Sequence, residues 1–153
     1  MSDPIGRQAR ITLTLQREMP MALYSFAYVS ALAIFTLVDI AWLTAMSSRF
    51  YRPILGDILL AGVNLKAALA FYLFYPAGLV IFAVAPAVKS GDLKTAAIMG
   101  ALLGLFSYGT YDLTNQATLR NWTTALTLAD MAWGTFVSGA AAYAAAWITS
   151  RLT

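Results

Sequence analysis

Neither cysteine nor histidine occurs among the 153 residues. The first absence removes disulfides, thiolate metal sites and cysteine nucleophiles. The second removes histidine-ligated haem or zinc, serine–histidine catalysis and imidazole proton shuttling. Charge is scarce as well: Asp, Glu, Lys and Arg make up 11% of the chain, against about 25% in ordinary globular proteins. The net charge of +3 is small and its cations are spread through loops, so nucleic acid is not an expected partner. Any chemistry falls to Asp, Tyr, Ser/Thr, Lys, Arg or a bound group, and the sequence specifies no cofactor.

What the chain has is apolar length. Sixty per cent of its residues are hydrophobic and its mean hydropathy is +0.69. Four apolar segments run from about Leu23 to Met46, Asn64 to Val88, Lys94 to Asn115 and Thr124 to Ile148, with Pro76 inside the second and Pro86 near its end. At about 1.5 Å per residue, each is long enough to cross a hydrocarbon core of roughly 30 Å. Ten-residue alternating segments, the mark of a membrane β-barrel, are absent. The expected fold is an all-α membrane protein, a bundle of four transmembrane helices over residues 21–153. A polar cytoplasmic tail, residues 1–20, precedes it. Leu23 to Met46 is too long for a signal-peptide core, and no clear small-x-small cleavage site follows it.

Ser47 to Gly62 carries Phe50, Tyr51, Ile54, Leu55, Ile58 and Leu59 at helix-like intervals among Arg49, Arg52 and Asp57. That pattern suits a short interfacial helix after the first span. The tail, second loop and C-terminus hold Arg7, Arg10, Arg17, Lys89, Lys94 and Arg151. The first and third loops with their flanks hold Arg49, Arg52, Lys66 and Arg120. Six cations against four place both termini inside.

Under that topology Asp39, Asp112 and Asp130 fall at one depth in the outer half of the membrane. Lys66 joins them at the start of the second span, and Arg49, Arg52 and Arg120 lie just above. An aspartate at the centre of a bilayer costs roughly 2.5–3.5 kcal/mol on insertion scales. Small residues repeat every fourth position along Ala96, Gly100, Gly104, Tyr108 and Asp112, and along Asp130, Gly134, Ser138, Ala142 and Ala146. Small seams are where membrane helices pack closely, so Asp112 and Asp130 are expected to face the bundle. Ala27, Ala31, Phe35 and Asp39 share a face that is only partly small. Each feature also has a plain structural reading. Carboxylates paired with Lys or Arg pin helices together, Trp42, Trp122 and Trp133 suit an interface belt, and Lys66 suits snorkelling.

One motif is written twice. Thr36-Leu-Val-Asp-Ile-Ala-Trp-Leu-Thr44 and Thr127-Leu-Ala-Asp-Met-Ala-Trp-Gly-Thr135 each set a tryptophan three residues after an aspartate. Their helices run antiparallel, so both copies arrive on the same side of the membrane, as in inverted repeats around transporter sites. A full duplication would match the first span to the third, which it does not.

The runs Phe35-Thr-Leu-Val-Asp39-Ile-Ala-Trp42-Leu, Phe50-Tyr51-Arg52 and Ala70-Phe-Tyr-Leu-Phe-Tyr75 resemble a bacterial family of small integral membrane proteins, domain of unknown function 2177. So do Tyr108-Gly-Thr-Tyr-Asp112-Leu-Thr-Asn115-Gln-Ala-Thr-Leu119, Trp122 after it, and Asp130-Met-Ala-Trp133-Gly134. The likeness extends from about Leu23 to Ile148. It implies a four-helix protein of the bacterial inner membrane and carries no established activity. Some members are encoded near lipid-modifying enzymes, an association that points towards lipid.

Beyond the bilayer itself, the expected partner is a lipid or other small molecule held near the outer leaflet. Asp39, Asp112 and Asp130 would supply acid, base or cation-binding oxygens. Tyr108 and Asn115 would supply hydrogen bonds, Arg49, Arg52 or Lys66 would hold an anionic head group, and Trp42 and Trp133 are further candidates for contact with the ligand. Three carboxylates also suit a hard cation such as Mg²⁺ or Ca²⁺, although no metal site is assigned. Carrier, lipid-binding protein and enzyme all fit. The alternative is a non-catalytic accessory subunit of a larger membrane complex, in which the polar cluster only fixes helix packing.

Overall fold

The computed structural model describes the backbone from Pro4 and the side chains from Met21 onward. The tail read over residues 1–20 therefore lies outside the described side chains. Helices account for nearly all of the described chain, and no strand occurs among the described residues. α1 is Pro4–Met46. A π-helical turn, Ser47–Tyr51, leads into the single helical turn α2, Arg52–Leu55, and a 3₁₀ turn, Gly56–Ile58. The second long path is α3, Leu65–Leu79, a π-helical turn Val80–Val84, and α4, Ala85–Ser90. α5, Leu93–Thr118, and α6, Thr124–Leu152, complete the fold.

Local chemistry sets the boundaries. Asn64, Asp92 and Thr123 each place a side-chain oxygen on an amide of the first turn of α3, α5 and α6, satisfying donors that helix starts leave open. Gly91 ends α4 with φ at 72°, the left-handed stop that glycine takes without strain. The segment after α1 is less regular than its apolar spacing predicts. Pro53 stands at its start and Gly56 leaves the helix with φ at 56° and ψ at −124°, so helix persists for only one turn. Leu55 is buried in a small cluster with Trp122 and Leu126, and Phe50, Tyr51, Ile54 and Leu59 pack against it. The segment thus folds back over the start of α6.

Two paths, Met21–Ile58 and Leu65–Ser90, are long and apolar enough to cross a membrane, with hydropathies of 1.9 and 2.1. Only 22% and 28% of their most apolar windows are buried. A soluble protein's core helices would show the reverse; here Leu37, Phe74, Phe82, Phe106 and Phe136 stand exposed. α5 and α6 hold 26 and 29 residues, about 39 and 43 Å of helix. Their hydropathy is diluted by the small and polar residues they turn towards each other.

That contact is the most extensive in the molecule, and α6 also packs along α1. The small seams account for it. A methyl carbon built on Gly100 would lie 2.6 Å from Ala142 Cβ, one on Gly104 would strike the carbonyl group of Gly134, and one on Gly139 would lie 3.0 Å from the Ala97 oxygen. The backbones approach where side chains are missing. Ala96, Gly100, Gly104 and Asp112 on α5, and Asp130, Gly134, Ser138, Ala142 and Ala146 on α6, are all buried. On α1, Ala27, Ala31 and Phe35 are fully buried and Asp39 nearly so. All three aspartates face protein.

Candidate functional site

Asp39 ends the buried stripe of α1, one helical turn beyond Phe35. Both of its oxygens accept: Oδ1 from Trp133 Nε1 at 2.9 Å, and Oδ2 from the Tyr72 hydroxyl at 2.8 Å. Phe35 beneath it packs against Phe71, Tyr72 and Tyr75, with ring centroids 4.9–6.4 Å apart. α3 thus offers an aromatic face that holds Tyr72 in place.

The two copies of the aspartate–tryptophan motif interlock. Trp42 and Trp133 stack face to face, 4.2 Å between centroids and 8° from parallel. Trp133 serves the carboxylate of the other copy, Asp39. Trp42 Nε1 donates to the Tyr51 hydroxyl at 2.9 Å, and that hydroxyl donates in turn to Asp130 Oδ1. The direction follows from chemistry: an indole nitrogen only donates, so the Tyr51 oxygen accepts and its proton is free for Asp130. A straight helix would separate residues 42 and 51 by about 13.5 Å along its axis and turn them to opposite sides. The π-helical turn Ser47–Tyr51 and the fold-back after it bring them together.

On α5, Tyr108 lies over Gly134, and a methyl carbon on that glycine would fall within the tyrosine ring. Gly134 is therefore the notch that seats Tyr108. Tyr75 meets Tyr108 edge to face at 6.4 Å, and its hydroxyl is 2.8 Å from Ser138 Oγ. At the hairpin end, Trp122 Nε1 donates to Thr127 Oγ1 (3.2 Å). Thr127 donates to Gln116 Oε1 (2.8 Å), and Gln116 Nε2 donates to Thr124 Oγ1 (2.8 Å). Trp122 is buried.

Several of these groups line a partly open cavity of about 930 Å³. Its polar wall is Asp39, Asp130, Tyr51, Tyr108 and Arg52, with Ser47 and Ser107. Its aromatic wall is Trp42, Trp133, Trp122, Phe71, Tyr75 and Tyr111, and Leu43, Leu55, Ile58, Leu59, Leu60 and Val63 make it predominantly apolar. The hydrogen bonds recorded to Asp39 and Asp130 come from neutral phenols and indoles, so among the described residues the carboxylates are not tied by Lys or Arg.

Of the residues singled out in the sequence, Asp39, Trp42, Arg52, Tyr108, Asp130 and Trp133 line this cavity, and Arg49, Lys66, Asp112 and Asn115 do not. Arg49 and Lys66 are exposed, in the π-helical turn and the first turn of α3, and Asn115 is half-buried near the end of α5. Asp112 is fully buried on the α5 seam, one turn beyond Tyr108, with neither oxygen hydrogen-bonded. The three carboxylates therefore do not share one hollow, and no group of three or more acidic side chains among the described residues is placed to hold a metal ion. Tyr51, Tyr72 and Tyr75 carry polar contacts that periodicity did not single out. The Phe71-Tyr72…Tyr75 spacing is a weak signal for Tyr72 and Tyr75, and Tyr51 is marked only by the Phe50-Tyr51-Arg52 run of the family resemblance.

No curated protein and no solved structure matches the chain. A family model described as "Predicted membrane protein (DUF2177)" matches residues 24–147. That span takes in both aspartate–tryptophan motifs, the π-helical turn between them and the α5–α6 seam, and the chain belongs to this family of membrane proteins.

Proposed function

We propose that the chain is a multi-pass protein of the bacterial inner membrane, crossing it with α1, the α3–α4 path, α5 and α6, with both termini cytoplasmic. We further propose that its cavity binds a lipid-like or other small amphipathic molecule in order to carry, present or modify it. Two cation–aromatic pairs support the topology. Lys89 Nζ donates to the Tyr24 hydroxyl at 2.9 Å, joining the start of the first span to the end of the second. The Arg151 guanidinium lies 5.6 Å from the Trp147 ring centroid near the C-terminus. Such pairs suit a membrane–water boundary.

The observation that carries the ligand reading is the cavity itself. At about 930 Å³ it stands at the upper end of ordinary small-molecule pockets, roughly 300–1,000 Å³, and has their usual make-up of apolar walls with a few convergent polar groups. Asp39 and Asp130 suit proton transfer or head-group binding, since both sit among fixed donors.

The test is mass spectrometry of what accompanies the protein through gentle purification, repeated for Asp39→Asn and Asp130→Asn. A specific amphiphile at near one-to-one ratio in the wild type, lost from variants that still insert and elute normally, supports the reading. Variants that degrade, or a stoichiometric large protein partner with no bound amphiphile, would instead mark the cluster as packing in an accessory subunit.

A further inference from the structure

We infer that the group recognised at the polar wall is a cation, an alkylammonium carried on an apolar chain. This rests on the cavity being a ligand site, as proposed above, and names the chemistry of what enters it.

The reason is an uncompensated charge pattern. Asp39 and Asp130 are 4% and 8% exposed, and both line the cavity. Removing a carboxylate from water without an opposite charge is costly, and apolar surroundings deepen the cost. Yet the donors recorded to these two are Tyr72, Trp133 and Tyr51, which supply hydrogen bonds and no charge. Arg52, the cation on the cavity wall, is exposed and hydrogen-bonds neither carboxylate.

Asp130 is also unfinished. Its Oδ1 accepts a hydrogen bond from the Tyr51 hydroxyl, while among the described residues no donor reaches Oδ2. It differs from Asp112, whose oxygens are sealed away from any opening. The free acceptor belongs to a side chain more than nine-tenths buried that faces a cavity. An ammonium supplies both missing items, an N–H donor and a positive charge. The surrounding rings suit it, because aromatic faces attract cations and do so more strongly where water is excluded. An anionic head group would meet two carboxylates, and a neutral alcohol would leave their charge unmatched.

The experiment uses the full chain in neutral maltoside micelles, titrated with dodecylammonium, dodecanol and dodecyl sulfate at equal mole fraction. Emission from Trp42, Trp122 and Trp133, which line the cavity, is the readout. Dodecylammonium should give a saturable change at the lowest concentration. Asp130→Asn should weaken it about tenfold or more, since a hydrogen bond to a charged group is lost, and Asp130→Glu should recover part of the loss. Competition by phosphatidylethanolamine would identify a phospholipid amine as the source. Competition only by a phosphate-free dialkylamine would identify a free lipophilic amine. Dodecanol or dodecyl sulfate binding as tightly as the amine, or Asp130→Asn binding unchanged, overturns the inference and leaves the cavity a ligand site of other chemistry. If no probe binds and nothing co-purifies, both readings fall. Should Asp130→Asn not fold, the order of the three probes on the wild type decides.

Discussion

Gly104→Ala tests whether the approach of α5 to α6 holds the bundle together. The added methyl carbon would strike the carbonyl group of Gly134 and lie 2.7 Å from Ser138 Oγ. Carbon contacts relax only at about 3.5–4.0 Å, and a helical carbonyl cannot swing aside as a side-chain tip can. The two helices must part by about 1 Å or more, and the strain spreads along the seam to Gly100, where a methyl carbon would likewise lie 2.7 Å from the Ser138 oxygen. Overpacking of this kind costs about 1–3 kcal/mol; alanine's better helix propensity returns about 0.5–1 kcal/mol. A clash with backbone falls in the upper half of that range, and a net loss of about 1–2.5 kcal/mol follows. Gly78→Ala is the control, because a methyl carbon there would meet only Leu103 Cδ2, at 3.9 Å. It should be neutral or mildly stabilising. Reversible thermal unfolding in maltoside micelles, followed by far-ultraviolet circular dichroism, measures both. If Gly104→Ala unfolds at the same temperature as the wild type, the seam does not support the bundle.

Asp112→Val should stabilise the chain by about 1–3 kcal/mol in the same assay, since it removes a fully buried carboxyl whose oxygens have no partner. A loss of stability would instead show that Asp112 has a partner the bundle depends on. At the other end, Asp92 caps α5 through the Thr95 hydroxyl and the Lys94 amide, which hold its pKa below the usual carboxylate value. A lowered folded-state pKa contributes stability that is present above the unfolded pKa of about 3.9 and lost as pH falls through the folded value. Protection of the Lys94 and Thr95 amides, taken against the intrinsic exchange rate at each pH, should therefore fall on acidification below about pH 4, and Asp92→Ala should show the lower protection at neutral pH.

The four helical paths were legible because apolar length and small-residue spacing are properties of the chain itself. Asn64, Thr124 and Met46 mark boundaries within a residue or so of those observed, and the Gly100–Gly104 and Gly134–Ser138 seams are buried where their four-residue repeat points them. The site was half legible. Asp39, Trp42, Asp130 and Trp133 announce themselves as a doubled motif, but depth along a helix was a poor guide to company. Asp112 shares the α5 seam with Tyr108 and is sealed one turn beyond it, while Lys66 and Arg49 point outward. Tyr51 was hidden for a different reason. Its position depends on the π-helical turn after Met46 and on Pro53 and Gly56 interrupting the helix, and a period of 3.6 residues has no way to express that.

The stacking of Trp42 on Trp133 has a consequence for biogenesis. Asp39 belongs to α1, and its Trp133 partner to α6, which leaves the ribosome later. Until α6 arrives, Asp39 lacks one of its two donors, and Tyr51 has no carboxylate to serve. The cavity wall is therefore complete only once α6 is in place, and a nascent chain stalled before it carries half of each pair.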